Sequence, residues 1–232
     1  GTLVAQYAGL LMAFVLWKHK YSSLRRYAEL RSLTDRNAMV RFFQINRDIF
    51  LRTLCLVSVT VFFTSAGAAQ GEIVLAVNTL LMQLFTLFSY IMDGFAYAGE
   101  ALAGKHIGSG NRQALHQMVR QLFLWGIALS VAFTLLYSIG GTGFLRLLTN
   151  EPSVIAASSS YFYWVLAIPL AGFAAFLYDG IFIGATATGL MLRAMFVASV
   201  AFFLIYFGCR EAMGNHALWP AFIVYLTLRG IV

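Results

Sequence analysis

Three acidic residues lie inside long apolar segments, where an ionised side chain is costly. Asp93 and Glu100 belong to a segment near residues 73–103, and Asp179 belongs to another near residues 154–188. A charged side chain at mid-membrane costs on the order of 2.5 to 3.5 kcal/mol, so acids kept at that depth mark ion or proton pathways. The alternative is a buried hydrogen bond to a neighbouring helix, and it is favoured for Glu100, which lies nearer the end of its segment. We therefore predict that Asp93 and Asp179 bind or exchange a cation.

A polar stripe runs along the segment that carries Asp93. Its members recur every three or four residues between apolar neighbours: Thr79, Gln83, Thr86, Tyr90, Asp93, Tyr97 and Glu100. At 3.6 residues per turn these side chains share one face of a helix, so they either line a watery cavity or bond to other helices. An acid set among amides, hydroxyls and phenols favours the cavity. We predict that a substrate path is lined by Gln83, Thr86, Tyr90, Tyr97 and Glu100.

The segment that carries Asp179 also contains two residues that favour a bend. Pro169 and Gly172 precede the acid; proline removes one backbone hydrogen bond and glycine loosens packing, so a kink is expected. Either the bend changes access to Asp179 as the acid gains or loses a cation, or it is static and only shapes packing. We predict that Pro169 and Gly172 form a hinge, with the static kink as the alternative.

The sequence does not predict a metal site, a phosphate-binding loop or a catalytic site. The four histidines lie in loops without the spacing of metal ligands, so no metal site is predicted. The segment 108–111 contains two glycines, but it follows an apolar helix rather than a strand, and we interpret it as a turn. The protein is expected not to be an enzyme and to need no cofactor beyond a coupling ion.

The elements that must carry these residues are membrane helices. Of the 232 residues, 60% are hydrophobic and 11% are charged, whereas soluble domains usually contain about 25% charged residues. Apolar runs of about 20 residues recur, which is the length of helix that crosses a bilayer. We predict an all-α integral membrane protein with about seven transmembrane helices, near residues 1–17, 49–69, 73–103, 121–140, 154–188, 191–208 and 217–232. Both ends of the chain look cut, so a fragment of a longer protein is expected.

Lys and Arg concentrate in the segment 18–47, and short cytoplasmic loops carry such an excess. If this segment is cytoplasmic, alternation of the spans leaves only Arg146 and Arg210 on the outer side. We therefore expect residue 1 outside and residue 232 inside the cell membrane. The segment also accounts for most of the net charge of +7; the expected partner is the lipid headgroup region rather than nucleic acid.

The residues around the two aspartates resemble a known family. Residues 78–111, which include Asp93 and Glu100, resemble the eighth helix of MATE (multidrug and toxic compound extrusion) transporters, in the DNA-damage-inducible F branch. Ile168-Pro-Leu-Ala-Gly172 and Asp179-Gly-Ile-Phe-Ile-Gly184 are similar to the tenth helix of that branch, and Leu228-Arg229-Gly230 is similar to the end of the twelfth. The resemblance covers nearly the whole chain.

The resemblance implies a twelve-helix protein with two lobes around a cavity that opens alternately to each side. This chain would supply helices six to twelve: residues 1–17 as the last helix of the N-lobe, 18–47 as a basic cytoplasmic linker between lobes, and 48–232 as the six-helix C-lobe. The resemblance further implies antiport, in which H⁺ or Na⁺ entry drives export of amphipathic or cationic drugs and toxins, with Asp179 as a cation-site candidate. We expect a monomer in the bacterial inner membrane.

Two other functions fit parts of the sequence. A seven-helix receptor shares the expected topology, but the last span has no lysine for a retinal Schiff base and the first loop is long. A flippase of lipid or lipid-linked substrates shares the two-lobe plan of wider relatives. Such a flippase is expected to bury more basic residues in the lobe, and the sequence predicts almost none at mid-membrane.

Overall fold

The computed structural model of the chain describes residues 2–20 and 35–231. Within these residues the regular structure is helical and contains no strand, which confirms the all-α class. The helices are α1 Thr2–Lys20, α2 Arg36–Ala68, α3 Glu72–Gly108, α4 Arg112–Leu148, α5 Pro152–Ser158, α6 Phe162–Gly184, α7 Thr188–Met213 and α8 Leu218–Arg229. A 3-10 turn, Gly214–Ala217, connects α7 to α8.

Five helical stretches of the described chain are long and apolar enough to cross a membrane. They are Arg36–Ala68, Glu72–Gly108, Arg112–Gly141, Phe162–Gly184 and Thr188–Arg229. The last stretch is two antiparallel helices, because the backbone turns at Gly214, where φ is 54°, and Tyr225 of α8 donates to the sulfur of Met195 near the start of α7, at 3.1 Å. The five stretches thus cover six of the seven predicted spans, and α1 is the one outside them.

Two predicted spans have different boundaries in the structure. The span predicted at 154–188 is divided into α5 and α6 by a turn at 159–161, where the backbone N–H groups donate to carbonyls three residues back instead of four. The span predicted at 121–140 continues to Leu148, with a break at Gly141, whose φ of 41° and ψ of −126° are non-helical.

The chain divides into two compact units, Gly1–Gln44 and Ile45–Val232. In the first unit α1 exposes its side chains along its whole length. The segment predicted as a linker, 18–47, lies partly outside the described residues, since 21–34 are not among them; α2 already begins at Arg36. The assignment of residues 1–17, 18–47 and 48–232 to two lobes and a linker stays a prediction.

Helices α3 and α6 of the second unit pack backbone against backbone. A Cβ atom added at Gly180 would lie 2.1 Å from the carbonyl oxygen of Ala96, and one added at Gly184 would lie 2.2 Å from that of Glu100. These two glycines are four residues apart and therefore share one face of α6, a spacing that lets membrane helices approach closely. The contact brings Asp179, next to Gly180, beside the polar stripe of α3.

Candidate cation and substrate site

Asp179 on α6 is held by arginines from two other helices. The Arg52 guanidinium on α2 and the Arg229 guanidinium on α8 both donate to its Oδ2 atom, the latter at 2.6 Å. The exposed fractions of the side chains are 15% for Asp179, 17% for Arg52 and 6% for Arg229. Charges removed from water this far need partners, so the cluster joins α2, α6 and α8 through one carboxylate.

Aromatic rings hold Arg229 in place. Its guanidinium carbon lies 5.3 Å from the ring centre of Tyr225 and 5.9 Å from that of Phe176, within the range of cation–π attraction. The Nε atoms of Arg229 and Arg52 are buried and have no hydrogen-bond partner among the described residues. Both guanidinium groups therefore act through their terminal nitrogens.

A cavity of 370 Å³ opens beside this cluster, lined by residues of α2, α3, α6 and α8. Asp93 and Glu100 line it together with Arg52, Asp179 and Arg229. Both acids of α3 are half-buried, and neither forms an ion pair or side-chain hydrogen bond with another described residue. Three carboxylates face two guanidinium groups, which leaves one negative charge when all five groups are ionised.

On its other side Asp179 is enclosed. The gap between it and Met191 and Met195 of α7 has no room for a water molecule. An ion or water molecule therefore meets the Asp179 carboxylate from the 370 Å³ cavity and not from the α7 side.

The predicted substrate path is divided among three cavities. Tyr97 and Glu100 lie with Asp93 in the cavity beside Asp179. Gln83 and Thr79 line a separate cavity with Glu72, and Gln83, Thr86 and Tyr90 line a mainly apolar one against the end of α4. The Thr86 hydroxyl donates to a backbone carbonyl of its own helix at 2.9 Å, while Tyr90 and Tyr97 are 72% and 69% exposed. A continuous path along α3 stays a prediction.

The predicted hinge residues are buried within an unbroken helix. Helix α6 continues through Pro169, and the Thr134 hydroxyl of α4 donates to the Leu166 carbonyl at 3.2 Å, in the turn where proline weakens the backbone ladder. A Cβ added at Gly172 would meet Leu226 at 3.5 Å, an ordinary contact. The hinge at Pro169 and Gly172 stays a prediction.

Sequence reasoning missed both arginines of the cluster. The expectation of almost no basic residues at mid-membrane stays a prediction, but the side chains of Arg52 and Arg229, which lie near predicted span ends, line the cavity. Their long side chains extend toward Asp179, and α2 begins well before Arg52, so this residue is within a helix. The signal in the sequence was Asp179 itself, since a carboxylate at that depth requires a positive partner.

Two further polar contacts connect distant parts of the bundle. Asn78 and Asn215 exchange amide hydrogen bonds of 2.8 and 3.0 Å while buried. Asp48 is buried and accepts a hydrogen bond from Thr188 at the start of α7, at 3.2 Å. Neither contact lies at the cavity beside Asp179, and both stabilise helix packing.

A bundle of membrane-length helices with buried, paired charges around a polar cavity is typical of multi-pass membrane transporters. Residues 49–207 match the MatE family, and the chain belongs to this family of transporters. The family predicted from the motifs is thereby confirmed, and the seven-helix receptor hypothesis is replaced.

Individual relatives agree with this membership. The chain is 35% identical over 231 residues to DNA damage-inducible protein F of Escherichia coli (strain K12), covering 99% of the chain and 50% of that protein. It is 21% identical over 233 residues to Protein DETOXIFICATION 42 of Arabidopsis thaliana, covering 99% of the chain and 44% of that protein. The chain thus spans about half the length of these curated relatives.

Proposed function

We propose that the chain is the C-terminal part of an antiporter that exports amphipathic or cationic compounds in exchange for H⁺ or Na⁺. The observation that carries the proposal is the unpaired Asp93 carboxylate in a cavity with a surplus of one negative charge. A single monovalent cation bound there makes the set of five ionised groups neutral. In a partly buried cavity, neutralising that charge changes the energy by more than it would in bulk water, and this change can be coupled to a change of access.

The residues divide into proposed roles. Asp93 binds the driving cation, and Asp179 responds to it through the shared cavity. Tyr97 and Glu100 contact the exported compound, since they lie exposed or half-buried beside Asp93. The remaining predicted path residues, Gln83, Thr86 and Tyr90, would line the route toward the other end of α3. Pro169 and Gly172 would let α6 bend as access changes.

The proposed location is the bacterial inner membrane, with residue 1 outside and residue 232 in the cytoplasm. Positive charge on the cytoplasmic side supports this orientation, and the cavity beside Asp179 then lies toward the cytoplasmic half. Proteins of this size and class can work as monomers, and we propose one. The proposed steps are binding and exchange alone: the exported compound keeps its covalent bonds, and a driving proton only joins and leaves a carboxylate.

Everted vesicles that contain the full-length protein test the proposal. Ethidium transport is measured with an imposed proton gradient, a sodium gradient or neither, for the wild type and for Asp93→Asn, numbered as in this chain. The matched control is Glu151→Gln, since Glu151 is exposed and makes no side-chain cap contact at the start of α5. The proposal requires gradient-driven transport that Asp93→Asn abolishes and the control retains. Gradient-driven transport that survives in Asp93→Asn refutes the role of Asp93.

A second candidate function is a flippase for a lipid or lipid-linked substrate. The presence of Arg52 and Arg229 in the cavity favours it, because anionic headgroups bind to guanidinium pairs. Their shared bond to Asp179 opposes it, since both guanidinium groups already donate to a carboxylate of the protein and the cavity holds one more carboxylate than guanidinium. Accelerated bilayer crossing of a fluorescent anionic lipid by reconstituted protein, without any cation gradient, would support the flippase over the antiporter.

A further inference from the structure

The two arginines that hold Asp179 are held very differently themselves. Arg229 is 6% exposed and lies against two aromatic rings. Arg52 is 17% exposed, and its one hydrogen bond within the described chain is to Asp179. Arg229 is therefore fixed by packing, whereas Arg52 depends on the carboxylate that it neutralises.

The surroundings also restrict where Arg52 can move. Asp179 is closed on the α7 side, where no water fits, and open on the side of the 370 Å³ cavity. Asp93 and Glu100 line that same cavity, and neither is paired with an arginine in the part of the chain that the structure describes. A guanidinium that leaves Asp179 enters a space lined by two other carboxylates. The attraction that it loses at Asp179 is offset by its attraction to Asp93 and Glu100.

We propose that Arg52 is a built-in cation that competes with the driving cation for the acids of this cavity. When the cavity holds no driving cation, the Arg52 guanidinium neutralises Asp179. A driving cation bound to the carboxylates of the cavity weakens their attraction for the Arg52 guanidinium. The ion pair that links α2 to α6 is then released. Arg52 thus sets the cation concentration at which the cavity fills. The inference rests on the antiporter proposal. Within that proposal, Arg52 is a positioning residue.

Charge arithmetic predicts the direction of the effect. With Arg52 replaced by glutamine the five-group cavity changes from one surplus negative charge to two, so any external cation binds more tightly. An opposite charge a few ångströms away changes such equilibria by one to three powers of ten. We expect Arg52→Gln to lower the half-saturating cation concentration at least about tenfold.

The experiment uses the full-length protein reconstituted in liposomes, with ethidium as the transported probe. The rate is measured against the concentration of whichever cation, H⁺ or Na⁺, drives the wild type. Arg52→Gln should shift half-saturation to lower concentration, and Arg52→Lys, which retains the charge, should remain near the wild type. The matched control is Arg120→Gln, an exposed arginine on α4, which should leave half-saturation unchanged.

A binding measurement keeps the test decisive if Arg52→Gln fails to transport. Cation binding stabilises the folded protein, so the melting temperature in detergent is recorded across the same cation concentrations. The variant should reach its half-maximal stabilisation at least about tenfold below the wild type. An unchanged midpoint for Arg52→Gln, in transport or in melting, overturns the inference while the antiporter proposal stands. Wild-type transport indifferent to both gradients refutes the antiporter proposal itself.

Discussion

Asp93 on α3 and Asp179 on α6 line one cavity, yet of the two only Asp179 accepts hydrogen bonds from an arginine of the described residues. The paired acid connects three helices, while the unpaired acid faces the space beside it. Their proximity follows from Gly180 and Gly184, which let α6 approach the backbone of α3. We therefore propose separate tasks for two acids of the same chemical type: Asp179 organises the site, and Asp93 binds an incoming ion.

Replacing the two aspartates should affect stability unequally. Asp179→Asn removes the carboxylate to which the buried Arg52 and Arg229 guanidinium groups both donate, which costs on the order of 3 to 5 kcal/mol. Asp93→Asn removes a carboxylate that has no hydrogen-bond partner among the described side chains and should change the free energy of unfolding by under about 1 kcal/mol. Denaturant unfolding in detergent micelles measures both. Equal destabilisation by the two variants contradicts the assigned partners.

The close approach of α3 and α6 should not tolerate a methyl group. Gly180→Ala would place a Cβ atom 2.1 Å from the Ala96 carbonyl oxygen, and such overpacking costs about 1 to 3 kcal/mol. Gly94→Ala is the matched control, because a Cβ there has open space and alanine favours a helix by about 0.5 to 1 kcal/mol. We expect a lower melting temperature for the first variant and an unchanged or higher one for the second.

The buried amide pair should behave as a unit. Asn78→Leu leaves the Asn215 side chain unsatisfied and should cost about 1 to 3 kcal/mol, and Asn215→Leu should do the same to Asn78. When both are replaced, no unpaired amide remains, so the double variant should lose less than the sum of the single losses. A double-mutant cycle on unfolding free energies measures this coupling. Strict additivity would show that the two amides do not depend on each other.

Pro169 distinguishes a working hinge from a static kink. Pro169→Ala restores the backbone donor that proline lacks, and a stiffer α6 should slow ethidium transport several-fold without weakening ethidium binding. Pro152→Ala serves as the control, because Pro152 occupies the first turn of α5, where no backbone bond is lost. Transport rates and dissociation constants of purified protein in liposomes decide between the two. An unchanged rate for Pro169→Ala supports the static kink.

The hydrophobic pattern predicted the all-α class and identified the acids as candidates, because composition and a 3.6-residue period can be read within each segment alone. The pattern also placed Asp93, Tyr97 and Glu100 on one face of α3, and the cavity beside Asp179 contains all three. The pattern within one segment could not predict which residues of other helices are the partners of these acids. Arg52 meets Asp179 across 127 positions of sequence, and only the tertiary arrangement of the helices, in which Phe63 of α2 packs against Trp219 of α8, brings them together.

Other differences have local causes that competed with the hydrophobic pattern. A turn at 159–161, whose backbone N–H groups bond three residues back, separates α5 from α6 within one apolar run. Gly141 interrupts α4 with a positive φ that an apolar run cannot reveal. Gln83 and Tyr90 belong to the same helical stripe as Asp93, yet they line other cavities, because residues of α4 lie against that part of α3.

Cation release on substrate binding tests the central claim most directly. Purified full-length protein in weakly buffered detergent solution is mixed with ethidium, and released H⁺ is followed with a pH indicator and released Na⁺ with a sodium-selective electrode. The account predicts that the wild type releases a cation as ethidium binds and that Asp93→Asn binds ethidium without releasing one. Undiminished release from Asp93→Asn would contradict the assignment of the exchanged cation to Asp93.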